Sequence, residues 1–320
     1  MVNEKIVMNS TLISVVTPCY NEKGNVEELY QRVKSVFNIL DGYTYEHIFI
    51  DNASSDGTVT ILKDIAARDK NVKIIINTRN FGHIRSPYHA MMQAKGDAVI
   101  LIVSDLQDPP EMILDFIKKW EEGYKLAIGI KTKSKEFFLF FGIRKIYYYL
   151  VNKLSDTELV KNFTGFGLYD KEVIDKLRII DDSYPYLRGL ISEFGYDFAK
   201  IEFEQPRRKR GFTKNNFYTL YDMAMLGITN HSKVPLRLAT FLGFGVSIGS
   251  FLIALFYLVY KIIFWQGLEE VAIPLIYIGL FFFGAVQLFF IGIIGEYIGS
   301  IHTQALKRPM VIEKERINFE

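Results

Sequence analysis

Short apolar runs rich in β-branched residues recur along the first part of the chain, at residues 12–17, 47–51, 72–77, 98–103 and 126–130. Between them the apolar positions change to a spacing of three and four, at 26–40, 58–67, 86–94 and 111–120. The first pattern predicts buried strands and the second predicts helices that lay one face on a sheet. Strand alternating with helix predicts an α/β fold built on a doubly wound, mostly parallel sheet. Ligands of such sheets bind outside the carboxyl ends of the strands. Polar residues collect there: Pro18, Tyr20, Asn21 and Glu22 after the first run, Asp51 and Asn52 after the second, Asn80 to His83 after the third, and Ser104, Asp105 and Gln107 after the fourth.

The pattern changes after residue 235. Residues 236–260 are apolar apart from Arg237, and 271–294 carry no charge. Each stretch exceeds the roughly 20 residues that cross a bilayer core, so two transmembrane helices are expected. The linker KIIFWQGLEE, 261–270, is too short for a domain and predicts the tip of a hairpin. Lys233, Arg237, Lys307 and Arg308 flank its two ends and assign that side to the cytoplasm. The expected organisation is a cytosolic domain at 1–213, an amphipathic interfacial segment at 214–235, a transmembrane hairpin at 236–300 and a cytosolic tail at 301–320. Residues 137–150 and 215–228 combine aromatic residues with sparse charge, as interfacial helices do. The stretch GFGVSIG, 243–249, imitates part of a dinucleotide fingerprint but follows no strand. Gly245 with Gly249, and Gly295 with Gly299, read instead as small-residue packing faces, so self-association, up to a tetramer, is expected.

Composition narrows the partners. A net charge of +2 gives no reason to expect nucleic acid. Cys19 is the single cysteine, which excludes an internal disulfide and a Cys-rich zinc site. The opening MVNEKIVMNS is charged and lacks an apolar core, so no signal peptide is expected.

The most informative stretch is VSDLQDPP, 103–110. Asp105 and Gln107 alternate at a strand end and therefore point the same way, where both can reach one ion. Asp108 before Pro109 has the form of a helix N-cap. Oxygen donors of this kind suit Mg²⁺ or Mn²⁺, hard ions that share their shell with substrate phosphates. No Gly-rich loop follows the first strand, so neither a P-loop nor a dinucleotide site is supported. In the basic run 207–210, Arg207 and Lys209 suit a juxtamembrane patch on anionic lipid. Arg208, Arg210 and Lys214 suit phosphate contact, with Gly211 permitting a tight turn.

These motifs, in this order, resemble a known family. TPCYNE (17–22), DNASSDGT (51–58), RNFGH (79–83), SDLQDPP (104–110) and RKRGFTK (208–214), followed by a two-span hairpin that ends in GEYIG (295–299), resemble the membrane-anchored polyprenyl-phosphate glycosyltransferases. That group is the dolichol-phosphate-mannose-synthase-like branch of glycosyltransferase family 2. The resemblance implies a GT-A fold, a nucleotide-sugar donor, here expected to be a UDP-sugar, and a divalent metal. It also implies inverting transfer of one sugar to a polyprenyl phosphate, undecaprenyl phosphate in a bacterial cytoplasmic (inner) membrane. Pro18, Tyr20, Glu22 and Asp51 would surround base and ribose, with Asn52, Asn80 and Ser104 completing the nucleotide set. Asp105 and Gln107 would hold metal and diphosphate, and Arg208 and Lys214 would contact phosphate charges.

The chain departs from the family pattern at three points. Asn52 stands where a second Asp is common, Val103 where a D-x-D motif begins, and Thr164-Gly165-Phe166-Gly167 where relatives carry Gly-Asp-Phe-Arg with an Asp proposed as base. A phosphate monoester has a second pKa of about 6, so this acceptor is already ionised at neutral pH and needs little help from a base. Positioning and stabilisation of the departing diphosphate carry such a transfer, and Gly165 is compatible with it. A processive polysaccharide synthase would need more spans and a Gln-x-x-Arg-Trp motif, which Trp120 and Trp265 do not supply. The non-enzyme alternative is a catalytically impaired scaffold that binds nucleotide sugar at a membrane.

Overall fold

The computed structural model describes residues 10–133, 160, 162–206, 217–264 and 269–319. The expected segment 137–150 and the basic residues Arg207, Arg208, Lys209, Arg210 and Lys214 lie outside them. The described residues fall into two units, each taken by itself below.

The first unit is an eight-stranded sheet. Its strands are β1 (Thr11–Cys19), β2 (Tyr43–Asp51), β3 (Val72–Asn77), β4 (Ala98–Leu101), β5 (Leu126–Lys133), β6 (Phe163–Asp170), β7 (Phe198–Glu204) and β8 (Glu313–Ile317). They lie in the order β7-β5-β6-β4-β1-β2-β3-β8. The pairs β4–β1, β1–β2, β2–β3 and β5–β7 are parallel, while β6 runs antiparallel to β4 and β5, and β8 antiparallel to β3. The sheet is therefore doubly wound and mostly parallel, the GT-A-like architecture.

The helices are α1 (Val26–Phe37), α2 (Thr58–Arg68), α3 (Gly82–Gln93), α4 (Ile113–Glu121), α5 (Lys171–Ile179) and α6 (Leu187–Glu193). One core is closed by α1, α2 and α4, with Leu29, Val33, Leu62, Ile65 and Phe116 at its centre. A second core gathers Tyr88 and Met91 of α3, Val173 and Leu177 of α5, and Leu190 and Ile191 of α6. Strands buried on both faces read as continuous apolar runs, which is why β1 to β5 are visible in the sequence.

Two elements differ from expectation. Helix α3 begins at Gly82, four residues before the predicted 86, because its first turn carries the polar His83 and Arg85 and breaks the apolar spacing. The expected tail at 301–320 contains β8, whose EKERI alternates exposed and half-buried residues.

The second unit holds α7 (Phe217–His231), α8 (Val234–Phe264) and α9 (Glu269–Ala305). Val234–Tyr260 and Ile276–Ala305 are long and apolar enough to cross a membrane, and neither is buried within the chain. Phe256 and Phe281 are more than 70% exposed, a surface that suits lipid and not water. The GEYIG motif has a local purpose. Glu296 Oε1 accepts the Tyr221 hydroxyl at 2.9 Å, Tyr297 donates its hydroxyl to the Ser232 carbonyl at 2.6 Å, and Ser300 donates to Asn230 Oδ1 at 2.9 Å. These bonds tie α9 to α7 and to the turn before α8.

Candidate active site at the carboxyl edge of the sheet

The carboxyl ends of β1, β2 and β4 are joined by their own exit loops. The Asn52 N–H donates to the Cys19 carbonyl at 2.9 Å, and the Ser104 hydroxyl donates to the Pro18 carbonyl at 2.9 Å. The TPCYNE and DNASSDGT motifs interlock. Asn21 N–H donates to Ser54 Oγ, and Ser55 N–H to Asn21 Oδ1, both at 2.8 Å. Glu22 N–H donates to Thr58 Oγ1 at 2.9 Å, while the Glu22 carboxylate accepts the Asn25 amide at 2.6 Å. Asn21, Ala53 and Leu106 all sit at positive φ, 56°, 62° and 60°, so three exit loops hold side-chain-bearing residues in the left-handed region. Such conformations cost on the order of 1 kcal/mol or more each and cluster at ligand sites.

Asp51 closes β2. It is fully buried, its Oδ1 accepts Ser54 N–H at 2.8 Å, and its Oδ2 is buried with no hydrogen-bond partner among the described residues. Burial pushes its carboxyl up from the ordinary value, against the hydrogen bonds from Ser54. An unsatisfied buried acceptor costs about 1–3 kcal/mol, which an incoming hydroxyl removes. Tyr20 and Pro18 flank it half-buried at the end of β1.

Asn52 is occupied. Its Oδ1 accepts Phe81 N–H at 3.0 Å and Asn77 Nδ2 at 3.1 Å, and its own Nδ2 donates to the Gly82 carbonyl at 3.0 Å. Its amide is committed to holding the loop between β3 and α3. Asn80 serves that loop too, its Oδ1 accepting Gly82 N–H at 2.8 Å. Asn77, which the sequence reading passes over, links Asn52 to Ser86 Oγ at 3.1 Å.

The acidic turn follows β4. Asp105 is 8% exposed and its Oδ1 accepts Gln107 N–H at 3.0 Å. Gln107 Nε2 donates to the Pro206 carbonyl at 3.4 Å, which brings the chain two residues before Arg208 to this turn. Val103, at the family's first D-x-D position, is exposed here. Asp108 is not a helix cap: it is 3% exposed and accepts the Val103 N–H instead. The reason is local, since Pro109 and Pro110 lack the amide hydrogens at the start of the helical turn. Burial pushes the Asp108 carboxyl up to about 7, the Lys131 charge opposes this, and the Asp105 charge adds to it.

Two buried acids so close, with an amide beside them, make a hard-oxygen donor set that fits Mg²⁺ or Mn²⁺. No group of three or more His, Cys, Asp or Glu side chains among the described residues could hold an ion alone. Strand β6, antiparallel to β4, brings Gly165 to the same edge; its φ is 102°, and a Cβ there would lie 3.5 Å from Leu101 Cδ2.

The chain matches the family described as "Glycosyl transferase family 2" over residues 14–178. It is 35% identical over 308 residues to the "Uncharacterized glycosyltransferase YkcC" of Bacillus subtilis (strain 168), covering 96% of this chain and 94% of that protein. It is 32% identical over 313 residues to the "SfII prophage-derived bactoprenol glucosyl transferase" of Shigella flexneri, covering 95% of this chain and 97% of that one. Among solved structures, it is similar to glucosyl-3-phosphoglycerate synthase from Mycobacterium tuberculosis in complex with Mn²⁺, UDP and glucosyl-3-phosphoglycerate. That overlay has a TM-score of 0.48 at 18% identity and covers 68% of this chain and 78% of that one.

Proposed function

The chain belongs to glycosyl transferase family 2, and on that premise we propose that it moves a single sugar from a nucleoside diphosphate to a polyprenyl phosphate at the cytoplasmic face of a bacterial membrane. The observation that carries this reading is the turn with buried Asp105 and Asp108 and half-buried Gln107, at the same carboxyl edge of the sheet as the unsatisfied Asp51 carboxylate, in a chain that also bears two apolar helices. The Shigella flexneri relative, covered almost end to end, is named for glucosyl transfer to bactoprenol, which supports glucose as the first sugar to test.

Asp51 accepts a ribose hydroxyl through Oδ2, with Tyr20 and Pro18 beside the base. Asp105 and Gln107 would hold a divalent ion, which when bound would offset the charge that builds on the departing diphosphate. An acceptor phosphate oxygen attacks the anomeric carbon from the face opposite the leaving group. The bond from that carbon to the diphosphate oxygen breaks, its electron pair leaves with the nucleoside diphosphate, and the configuration inverts. No proton needs to be removed from the nucleophile, which is consistent with Gly165 at the position of the family's Asp. Arg208 and Lys214 are proposed as phosphate contacts on the family resemblance of RKRGFTK.

The return of β8 to the sheet that the chain left before α8 supports a hairpin whose ends share one membrane side. Lys233, Arg237, Lys307 and Arg308 support the cytoplasm as that side. Self-association through the paired glycine faces remains part of the proposal, read out by the mass of the detergent-solubilised chain.

The test uses the full chain in detergent with labelled UDP-glucose and a panel of other nucleotide sugars, Mg²⁺ or Mn²⁺, and polyprenyl phosphate. The expected result is a labelled lipid product that a chelator abolishes. Failure across the panel overturns the enzyme reading and favours the scaffold.

A further inference from the structure

Two arginines and a histidine that play no part in the strand-end set lie on α3 and α6, near the start of β6. His83 and Arg85 sit in the first turn of α3, and the Arg85 guanidinium lies 4.7 Å from the centre of the Tyr184 ring. Arg188, in the first turn of α6, lies 5.1 Å from the Tyr186 ring and donates Nη1 to the Phe163 carbonyl at 3.3 Å. Burial, and then the nearby Arg188 charge, push the His83 imidazole below its ordinary value, so it stands beside the arginine as a neutral ring, and Tyr169 donates its hydroxyl to the Gly165 carbonyl at 2.6 Å. The group therefore borders Gly165, on the β6 side of the acidic turn.

Neither Arg85 nor Arg188 has a carboxylate partner among the described residues, in contrast to Arg32, which pairs with Glu111, and Lys63, which pairs with Glu315. Arg85 Nε is buried with no hydrogen-bond partner among the described residues. A charged donor left unsatisfied is costly, so the arrangement is one that an anion completes. Arginine forks match phosphate in particular, and aromatic faces hold the guanidinium planes without consuming their N–H groups. The position separates two candidate anions. A donor diphosphate belongs with Asp105 and Gln107, whereas Gly165 is where the attacking group must enter.

We propose that Arg188, Arg85 and His83 form the subsite that holds the phosphate monoester of the acceptor. This rests on the functional reading above, in which the acceptor enters beside Gly165. The two guanidiniums, with the neutral His83 ring beside them, fix the phosphate while one of its oxygens bonds to the anomeric carbon and the diphosphate leaves, so the subsite positions a nucleophile and removes no proton.

The test compares full-length wild type, Arg188→Ala, Arg188→Lys and Arg85→Ala in detergent. Initial rates with UDP-glucose and Mn²⁺ are measured against polyprenyl phosphate concentration, and UDP binding in Mn²⁺ by calorimetry. The alanine variants should raise the acceptor KM about tenfold or more, the loss expected of a charged hydrogen bond, with UDP affinity within about twofold of wild type. Arg188→Lys should fall between. Inorganic phosphate should compete with the acceptor in wild type and lose that effect in the variants, which separates headgroup recognition from a lipid-chain effect.

An unchanged acceptor KM in both alanine variants overturns the assignment, as does a UDP affinity that falls by the same factor. Because Arg188 also braces Phe163, Arg85→Ala decides if Arg188→Ala melts early. A wild-type chain that transfers no sugar from any donor overturns the functional reading and this inference with it, whereas wild-type turnover with unaltered variants overturns this inference alone.

Discussion

The carboxamide oxygen of Asn52 accepts the backbone N–H of Phe81 at 3.0 Å, which fastens the end of β2 to the turn that opens α3. The same amide donates to the Gly82 carbonyl at 3.0 Å. An aspartate would keep the accepted bonds but set a second oxygen against Gly82. Asn52→Asp should therefore lose about 1–3 kcal/mol in urea denaturation of the full chain, the cost of an unsatisfied buried polar group. Wild-type stability in that variant would show that the donated bond contributes nothing.

The pH dependence of stability has an identifiable source in β2. His47 is fully buried, its Nε2 lies 2.9 Å from Thr17 Oγ1, and its ring centre lies 3.9 Å from that of Phe49 at a tilt of 31°. Burial pushes its imidazole down to about 3, partly offset by the Asp69 charge. Between that value and the ordinary 6.5 the unfolded chain binds a proton that the folded chain does not. Stability should therefore fall as pH drops through this window, by up to about 1.4 kcal/mol per pH unit. His47→Asn should flatten the slope below pH 6, and an unaltered slope would move its origin elsewhere.

Much of this architecture is legible in the residues, and the gaps have physical causes. Strands β1 to β5 announce themselves because a sheet covered on both faces needs unbroken apolar runs. Strand β6, FTGFGLYD, is interrupted by Gly165 and Gly167, and the second of these has no room for a side chain: a Cβ would lie 2.6 Å from the Ala127 carbonyl oxygen. Strand β8 is an edge strand of mostly charged residues, a composition that resembles a tail. The acidic turn is visible as VSDLQDPP, yet the inward turn of Asp108 depends on two missing proline hydrogens. Arg188 carries no local signal, since only the antiparallel pairing of β6 with β4 brings its Phe163 partner to the carboxyl edge.

Asp105→Ala should abolish transfer, because it removes a proposed ion ligand from a turn in which its Oδ1 also accepts the Gln107 N–H. Single-turnover assays with added Mg²⁺ or Mn²⁺ check this. Near-normal turnover that still requires metal would refute Asp105 as an ion ligand.

Gly165→Asp tests whether a base is missing, and the backbone makes the result sharper. At a φ of 102° a side chain is strained, so Gly165→Ala alone should cost about 1 kcal/mol or more of stability. The aspartate should show that loss and no gain in rate, since the acceptor is pre-ionised. A large rise in rate would mean that deprotonation had been limiting.

The last strand provides the strongest stability test, because a few residues hold the edge of the whole sheet. Strand β8 pairs with β3 from Ile74 opposite Ile317 to Ile76 opposite Glu315, and Thr78 N–H donates to the Ile312 carbonyl at 2.9 Å. Asn318 Nδ2 donates to the Ala66 and Val72 carbonyls at 2.9 and 2.8 Å, capping the end of α2 and the start of β3 together. The Lys63–Glu315 pair is about 40% exposed on both sides and should contribute at most about 1 kcal/mol. The backbone pairing and the Asn318 amide should dominate. Truncation after Met310 should lower the melting temperature markedly and increase light scattering, because the bare β3 edge becomes a template for strand addition. Asn318→Ala should account for about 1–3 kcal/mol of that loss and Lys63→Ala for much less. The reverse order would mean that charge, and not the strand, fastens this edge.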